Sequence, residues 1–157
     1  MEIGSTNSLR GRAALFFATV FYIGYIPLRP GTIGTVGAVV LFYLISGFSL
    51  LTYSLFLLGF IIFSVWVSGE AEKSLRKADP AQIVIDEVCG YLVTMLYVAP
   101  SLTNIILGFI LFRFFDIAKP TPLRKLERLP GGMGVVADDV FAGIYANVVL
   151  QIVIRLI

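Results

Sequence analysis

The sequence predicts an all-α fold, a polytopic integral membrane helical bundle whose short first helix is re-entrant or interfacial. Three observations predict it. Of 157 residues, 58% are hydrophobic and only 14% are charged, against roughly 45–50% and 25% in soluble domains. The mean hydropathy is +0.93. The 22 charges leave long empty intervals of 16 residues at 13–28, 40 at 30–69, 25 at 88–112 and 15 at 140–154.

Arg10 and Arg12 precede an apolar run over 13–26 that no small-x-small cleavage site follows, so the run reads as retained rather than as a cleaved signal peptide. Its length of about 21 Å as a helix falls short of a ~30 Å hydrocarbon core. The 40-residue interval is broken by Ser46-Gly47-Phe48-Ser49, a turn signal that predicts a helical hairpin over 33–46 and 50–68. The second arm runs into Glu70, Glu72, Lys73, Arg76 and Lys77 at a polar surface, and Asp79-Pro80 stops it. Pro100-Ser101 divides the 25-residue interval into helices at 81–99 and 102–115. A last helix over 140–157 closes a single domain, 1–157, since the length suits one compact unit.

With the turns at 46–49 and Pro100 on one side of a bilayer, 11 of the 12 basic residues fall on the other side, all but Arg155. The positive-inside bias makes that side the cytoplasm. A single kinked span over 91–112 would instead put the acidic pairs on opposite sides. Histidine is absent, which removes Ser-His-Asp hydrolases, histidine phosphatases and His-ligated zinc. One cysteine excludes an internal disulfide and a four-Cys metal site. A net charge of +2, with no basic stretch interleaved with aromatics, gives no reason to expect nucleic acid.

Three segments concentrate the chemistry. Arg29-Pro30-Gly31-Thr32-Ile33-Gly34-Thr35 is a Gly/Thr turn opening a helix, whose N–H groups and hydroxyls suit an anionic oxygen. The bland reading of its glycines is tight turning and close packing. Asp86-Glu87 stands just before an uncharged run, where carboxylates are costly and usually functional, although an acidic helix cap would look the same. Residues 112–143 hold Arg113, Asp116, Lys119, Arg124, Lys125, Arg128 and then Asp138-Asp139. Asp-Glu-Val-Cys-Gly at 86–90 echoes Asp-Asp-Val-Phe-Ala-Gly at 138–143. Two such helices packed through their small residues would gather four carboxylates, a site of the kind Mg²⁺ prefers. Arg124, Lys125 and Arg128 read equally well as an anionic-lipid anchor.

Cys89 is a poor nucleophile, because Met95 stands where a cysteine phosphatase needs arginine. No Asp-x-Asp opens a strand, and the spaced aspartates of CDP-alcohol phosphotransferases are missing. Metal-assisted attack of water on a phosphate remains. The competing class is a small cation transporter or channel, which accounts for the acids but not for the Gly/Thr turn and the converging cations.

Arg-Pro-Gly-Thr-Ile-Gly-Thr at 29–35, Asp-Glu-Val-x-Gly at 86–90, Phe-Arg-Phe-Phe-Asp-Ile-x-Lys-Pro at 112–120 and Gly-Gly-Met-Gly-Val-Val-x-Asp-Asp-Val-x-Ala-Gly at 131–143 resemble the signature blocks of bacterial phosphatidylglycerophosphatase A, in order and spacing. The resemblance runs from about residue 13 to 150. It implies an all-α inner-membrane enzyme that needs Mg²⁺ and removes the terminal phosphate of phosphatidylglycerophosphate. Joined to the residue reading, it assigns one or two Mg²⁺ to Asp86, Glu87, Asp138 and Asp139. The phosphate falls to Arg29, Thr32, Gly34, Thr35, Arg113 and Lys119, with Asp116 as a further ligand or the partner of Lys119. The site is expected at the cytoplasmic face, with the lipid's chains left in the bilayer.

Overall fold

The computed structural model describes residues 9–121 and 123–156. Residues 1–8, Pro122 and Ile157, which the expected single domain includes, lie outside them. The described residues form helices α1 (Leu9–Ala18), α2 (Pro30–Ile45), α3 (Leu50–Leu75), α4 (Ile85–Thr94), α5 (Leu102–Ala118), α6 (Leu123–Leu126) and α7 (Gly132–Leu156), with a 3-10 turn at Ile23–Tyr25 and no strand.

Local chemistry accounts for most boundaries. Pro30 occupies the first turn of α2, where its missing N–H costs nothing. Ser49 and Ser101 cap α3 and α5, accepting hydrogen bonds from the backbone N–H of Thr52 and Asn104, both at 3.2 Å. The hairpin expected at 46–49 is therefore present. α1 has only 10 residues. It ends in a reversal where Val20, Phe21 and Tyr22 all have positive φ, a costly conformation for residues with a Cβ. Thr19 holds that reversal, its hydroxyl donating to the Leu15 carbonyl at 2.7 Å and accepting from the Tyr22 N–H at 3.1 Å.

Several boundaries depart from the sequence reading. α2 starts at Pro30 rather than 33, and α5 runs to Ala118 rather than 115. The helix expected at 81–99 is only 10 residues long. Before it, the Val84 N–H donates to the Ala18 carbonyl at 3.0 Å. Gly24 also packs so closely on the Gln82 carbonyl that no Cβ would fit. Beyond it, the Asn147 side-chain amide on α7 donates to the Thr94 and Leu96 carbonyls at 2.8 and 2.7 Å, satisfying the groups the helix end leaves free. The last helix begins at Gly132 rather than at 140, and α3 runs to Leu75 rather than 68.

α4 is the buried axis of the bundle. Nine of its ten residues, all but Glu87, are buried, enclosed by α2, α3, α5 and α7. The surrounding helices expose apolar stripes at helical spacing: Val36, Val40 and Leu44 on α2, Leu51, Leu55, Leu58 and Ile62 on α3, Ile106, Ile110 and Phe114 on α5, and Ile144, Val148 and Ile152 on α7. α3 and α7, with 26 and 25 residues, are long and apolar enough to cross a membrane. Ser46, Phe48, Tyr97 and Ala99 share one cavity, so the α2–α3 and α4–α5 turns meet at one end of the bundle. The chain reverses between α4 and α5, and a single kinked span over 91–112 is not formed.

Candidate active site

The opposite end of the bundle carries a cleft of about 550 Å³ lined by the first turns of α2 and α4, the end of α5 and the early part of α7. α4 and α7 cross there through glycine. A Cβ on Gly90 would lie 2.6 Å from the Asp139 carbonyl oxygen, and one on Gly143 would collide with the Gly90 carbonyl. This close approach brings Asp86 and Glu87, in the first turn of α4, against Asp139 on α7. Each of the three offers a carboxylate oxygen, and these oxygens all lie within 4.8 Å of one another. Asp86 Oδ1 and Glu87 Oε2 are buried without a hydrogen-bond partner. Orphaned, converging oxygens are costly to bury, and an all-oxygen set of this kind could hold a hard divalent cation.

Asp138, the fourth residue of the expected set, is not among these three converging groups, and its Oδ2 accepts from Lys119 Nζ at 2.7 Å. Lys119 is the residue at which α5 ends, with φ of 41°. Its ammonium also pairs with Glu127, in the loop after α6. Partial burial works against the charge of Lys119. The hydrogen bonds to Asp138 and Glu127 outweigh that burial and hold its pKa above the ordinary lysine value. Arg113 donates to Asp116 at 2.5 Å one turn along α5, and both side chains line the cleft.

The first turn of α2 closes another wall. Gly31 sits directly on Glu87, and a Cβ there would collide with Glu87 Oε1 and come within 3.1 Å of Arg113 Nη1. Arg29 and Thr32 also line the cleft. Gly34 and Thr35, expected among the phosphate-binding groups, face elsewhere. A Cβ on Gly34 would stand 2.8 Å from Val84 Cβ, and the buried Thr35 hydroxyl donates to the Gly31 carbonyl at 2.8 Å. Because α2 starts at Pro30, the expected Gly/Thr turn is a helical first turn and its later residues pack inward. Cys89 points away too, its thiol donating to Ser64 Oγ at 3.1 Å.

Sequence reasoning missed Asp79, which lines the cleft, and Glu127. Nothing local distinguishes Glu127 from a solvated charge in a basic loop. Six carboxylates (Asp79, Asp86, Glu87, Asp116, Asp138, Asp139) meet three cations (Arg29, Arg113, Lys119) in the cleft. Fully ionised, that surplus of negative charge calls for a cation before an anionic substrate can approach.

Relatives cover most of the chain. A protein of Bacteroides thetaiotaomicron with the provisional name phosphatidylinositol-3-phosphatase is 34% identical over 146 residues, covering 88% of this chain and 91% of that protein. The phosphatidylglycerophosphatase A of Escherichia coli K12 is 31% identical, covering 87% of this chain and 80% of its own. That of Haemophilus influenzae is 37% identical, covering 85% and 83%. These names give no support to the cation-transport alternative. No solved structure matches the chain. The family model for phosphatidylglycerophosphatase A matches residues 16–154, and with these relatives it shows that the chain belongs to the phosphatidylglycerophosphatase A family, whose members are phosphoric monoester hydrolases.

Proposed function

We propose that the chain is a Mg²⁺-dependent phosphatase that hydrolyses phosphatidylglycerophosphate to phosphatidylglycerol and phosphate. It works as a single membrane-embedded domain of a bacterial inner membrane, with its active site facing the cytoplasm. The observation that carries this reading is the cleft itself. Three mutually close carboxylates, two with orphaned oxygens, stand across from arginines and a lysine at one end of an apolar-surfaced bundle.

Asp86, Glu87 and Asp139 would hold Mg²⁺, which when bound neutralises phosphate charge and makes a water acidic enough to attack near neutral pH. The protein's own groups do the rest. Arg113 and Arg29 offer planar, always-charged donors to the phosphate oxygens, and Thr32 adds a hydroxyl at the first turn of α2. Asp116 holds Arg113 in place through their ion pair. Asp138 aims the Lys119 ammonium, which stays protonated and meets the charge that develops on the phosphate. The lipid's chains stay in the bilayer along the apolar outer surface of the bundle while its headgroup enters the cleft.

Phosphate release by the detergent-purified protein tests the reading, with and without Mg²⁺, on phosphatidylglycerophosphate and phosphatidylinositol-3-phosphate in parallel. Mg²⁺-dependent release from the first substrate alone is expected. Release from the inositol lipid alone rejects the headgroup assignment, and undiminished release in EDTA rejects the metal. For sidedness, cysteines introduced at Ser49 and Ser101 are expected to label from outside the cell, and those at Lys77 and Arg128 only after permeabilisation. The reverse pattern rejects the cytoplasmic site.

A further inference from the structure

A second cavity lies along the middle of α2, outside the polar cleft. Its volume is about 560 Å³, within the roughly 300–1,000 Å³ range of ligand pockets. Its walls come from α2, α3, α4 and the segment around the reversal after α1, and they are almost purely hydrocarbon, with Phe21, Leu41, Phe60 and Phe63 among them. The rim opens sideways, since Val40 and Leu44 are 57% and 72% exposed. At Gly37 a Cβ would meet no atom within 4 Å, so the glycine leaves open space and no packing requires it.

Two helices serve both cavities. On α2, Gly31 and Thr32 line the polar cleft, while Gly37 and Leu41 line the apolar groove. On α4, Asp86 and Glu87 face the cleft, and their immediate neighbours Ile85 and Val88 face the groove. Gly37 follows Thr32 by about 7.5 Å along the helix axis. The groove therefore starts within a headgroup's reach of the phosphate-binding groups and runs away from them along the bundle. A cavity of this volume holds only about one turn of a helix that is 10–12 Å wide. A single hydrocarbon chain is slender enough to fit that volume.

We propose that this groove seats one acyl chain of the phospholipid substrate, and that Gly37 sets how much chain it takes. The inference rests on the lipid phosphatase reading and deepens it. A seated chain fixes the depth and direction from which the headgroup enters the cleft, so binding remote from the phosphate serves turnover.

Gly37→Leu and Gly37→Phe fill the groove without touching the cleft. Their kcat/KM is to be measured in detergent micelles on palmitoyl and on butanoyl phosphatidylglycerophosphate, with thermal unfolding to confirm folding. Displacing each methylene from an apolar site is worth a several-fold change. Gly37→Phe is expected to lose about tenfold or more on the palmitoyl substrate and Gly37→Leu less, with both staying within about twofold of wild type on the butanoyl substrate. Unchanged palmitoyl rates assign the groove to bulk lipid and overturn the proposal. An equal loss on both substrates overturns it too, because the substitution then acts through the fold. If it is accompanied by loss of a dimer on sizing, the groove belongs to a second copy. A wild-type protein inert on both substrates fails the phosphatase reading itself, a result separable from failure of the groove.

Discussion

Asp86-Glu87 and Asp138-Asp139 stand on helices of opposite kind. The first pair lies in the opening turn of a 10-residue helix enclosed by the bundle, where the free N–H groups and the dipole of α4 favour negative charge. The second pair lies beyond the first turn of a 25-residue helix, where the dipole has faded. Its charge needs partners from other parts of the chain, and Asp138 finds one in Lys119. Two similar sequence blocks thus divide the work unequally. One pair joins the carboxylate cluster whole, while the other contributes Asp139 to it and pairs Asp138 with Lys119. The lesson is that an acidic pair on a helix is two residues pointing about 100° apart, and the surroundings decide whether they act together.

The sharpest way to break this division is to remove charge without shape. Asp86→Asn, Glu87→Gln and Asp139→Asn are each expected to lower turnover by about 10²–10³-fold and to raise the Mg²⁺ needed for half-maximal phosphate release. Asp138→Asn should leave that midpoint unmoved. If its midpoint shifts as far as that of Asp139→Asn, the two members of the pair are equivalent.

Lys119→Met and Asp138→Asn come next, each with an expected loss of about 10–100-fold, the scale of removing an orienting partner. Excess Mg²⁺ should restore neither. The double variant should lose little more than either single one, because both remove one ion pair. Additive losses in that cycle would show that Asp138 and Lys119 act separately.

A smaller effect tests how α4 is held. Asn147→Leu leaves the Thr94 and Leu96 carbonyls unsatisfied. It is expected to cost about 1–3 kcal/mol, seen as a lower melting temperature in detergent, while turnover per folded molecule stays close to wild type. The smallest change is expected at the exposed Arg124 and Lys125. Arg124→Gln with Lys125→Gln should keep micellar activity within about twofold and weaken binding to anionic vesicles, at about 1 kcal/mol for each charge near a membrane surface.

Much of the fold is legible locally. The uncharged intervals, the serine caps at Ser49 and Ser101 and the proline at the start of α2 act within one or two turns, so their effect is readable without a neighbour. The charged blocks that line the cleft are readable for the same reason, since Arg113 and Asp116 share a helix turn and Asp86 and Glu87 adjoin. The short α4 was not legible. Its limits come from the Ala18 carbonyl and from Asn147, 53 residues beyond Thr94.

By itself, the sequence determined an all-helical chain with apolar outer faces and the residues from which the site is built, because hydropathy and capping are properties of neighbouring residues. Only the tertiary structure decided which of those residues share a task. Asp138 turned to Lys119, Thr35 turned to its own helix, Glu127 joined the site, and Gly37 opened onto a groove instead of a packed face. Most of those outcomes need a neighbour from a distant part of the chain. The carboxylates of α4 and α7 likewise need the close contact of Gly90 with α7 and of Gly143 with α4, between residues that only the folded chain brings together.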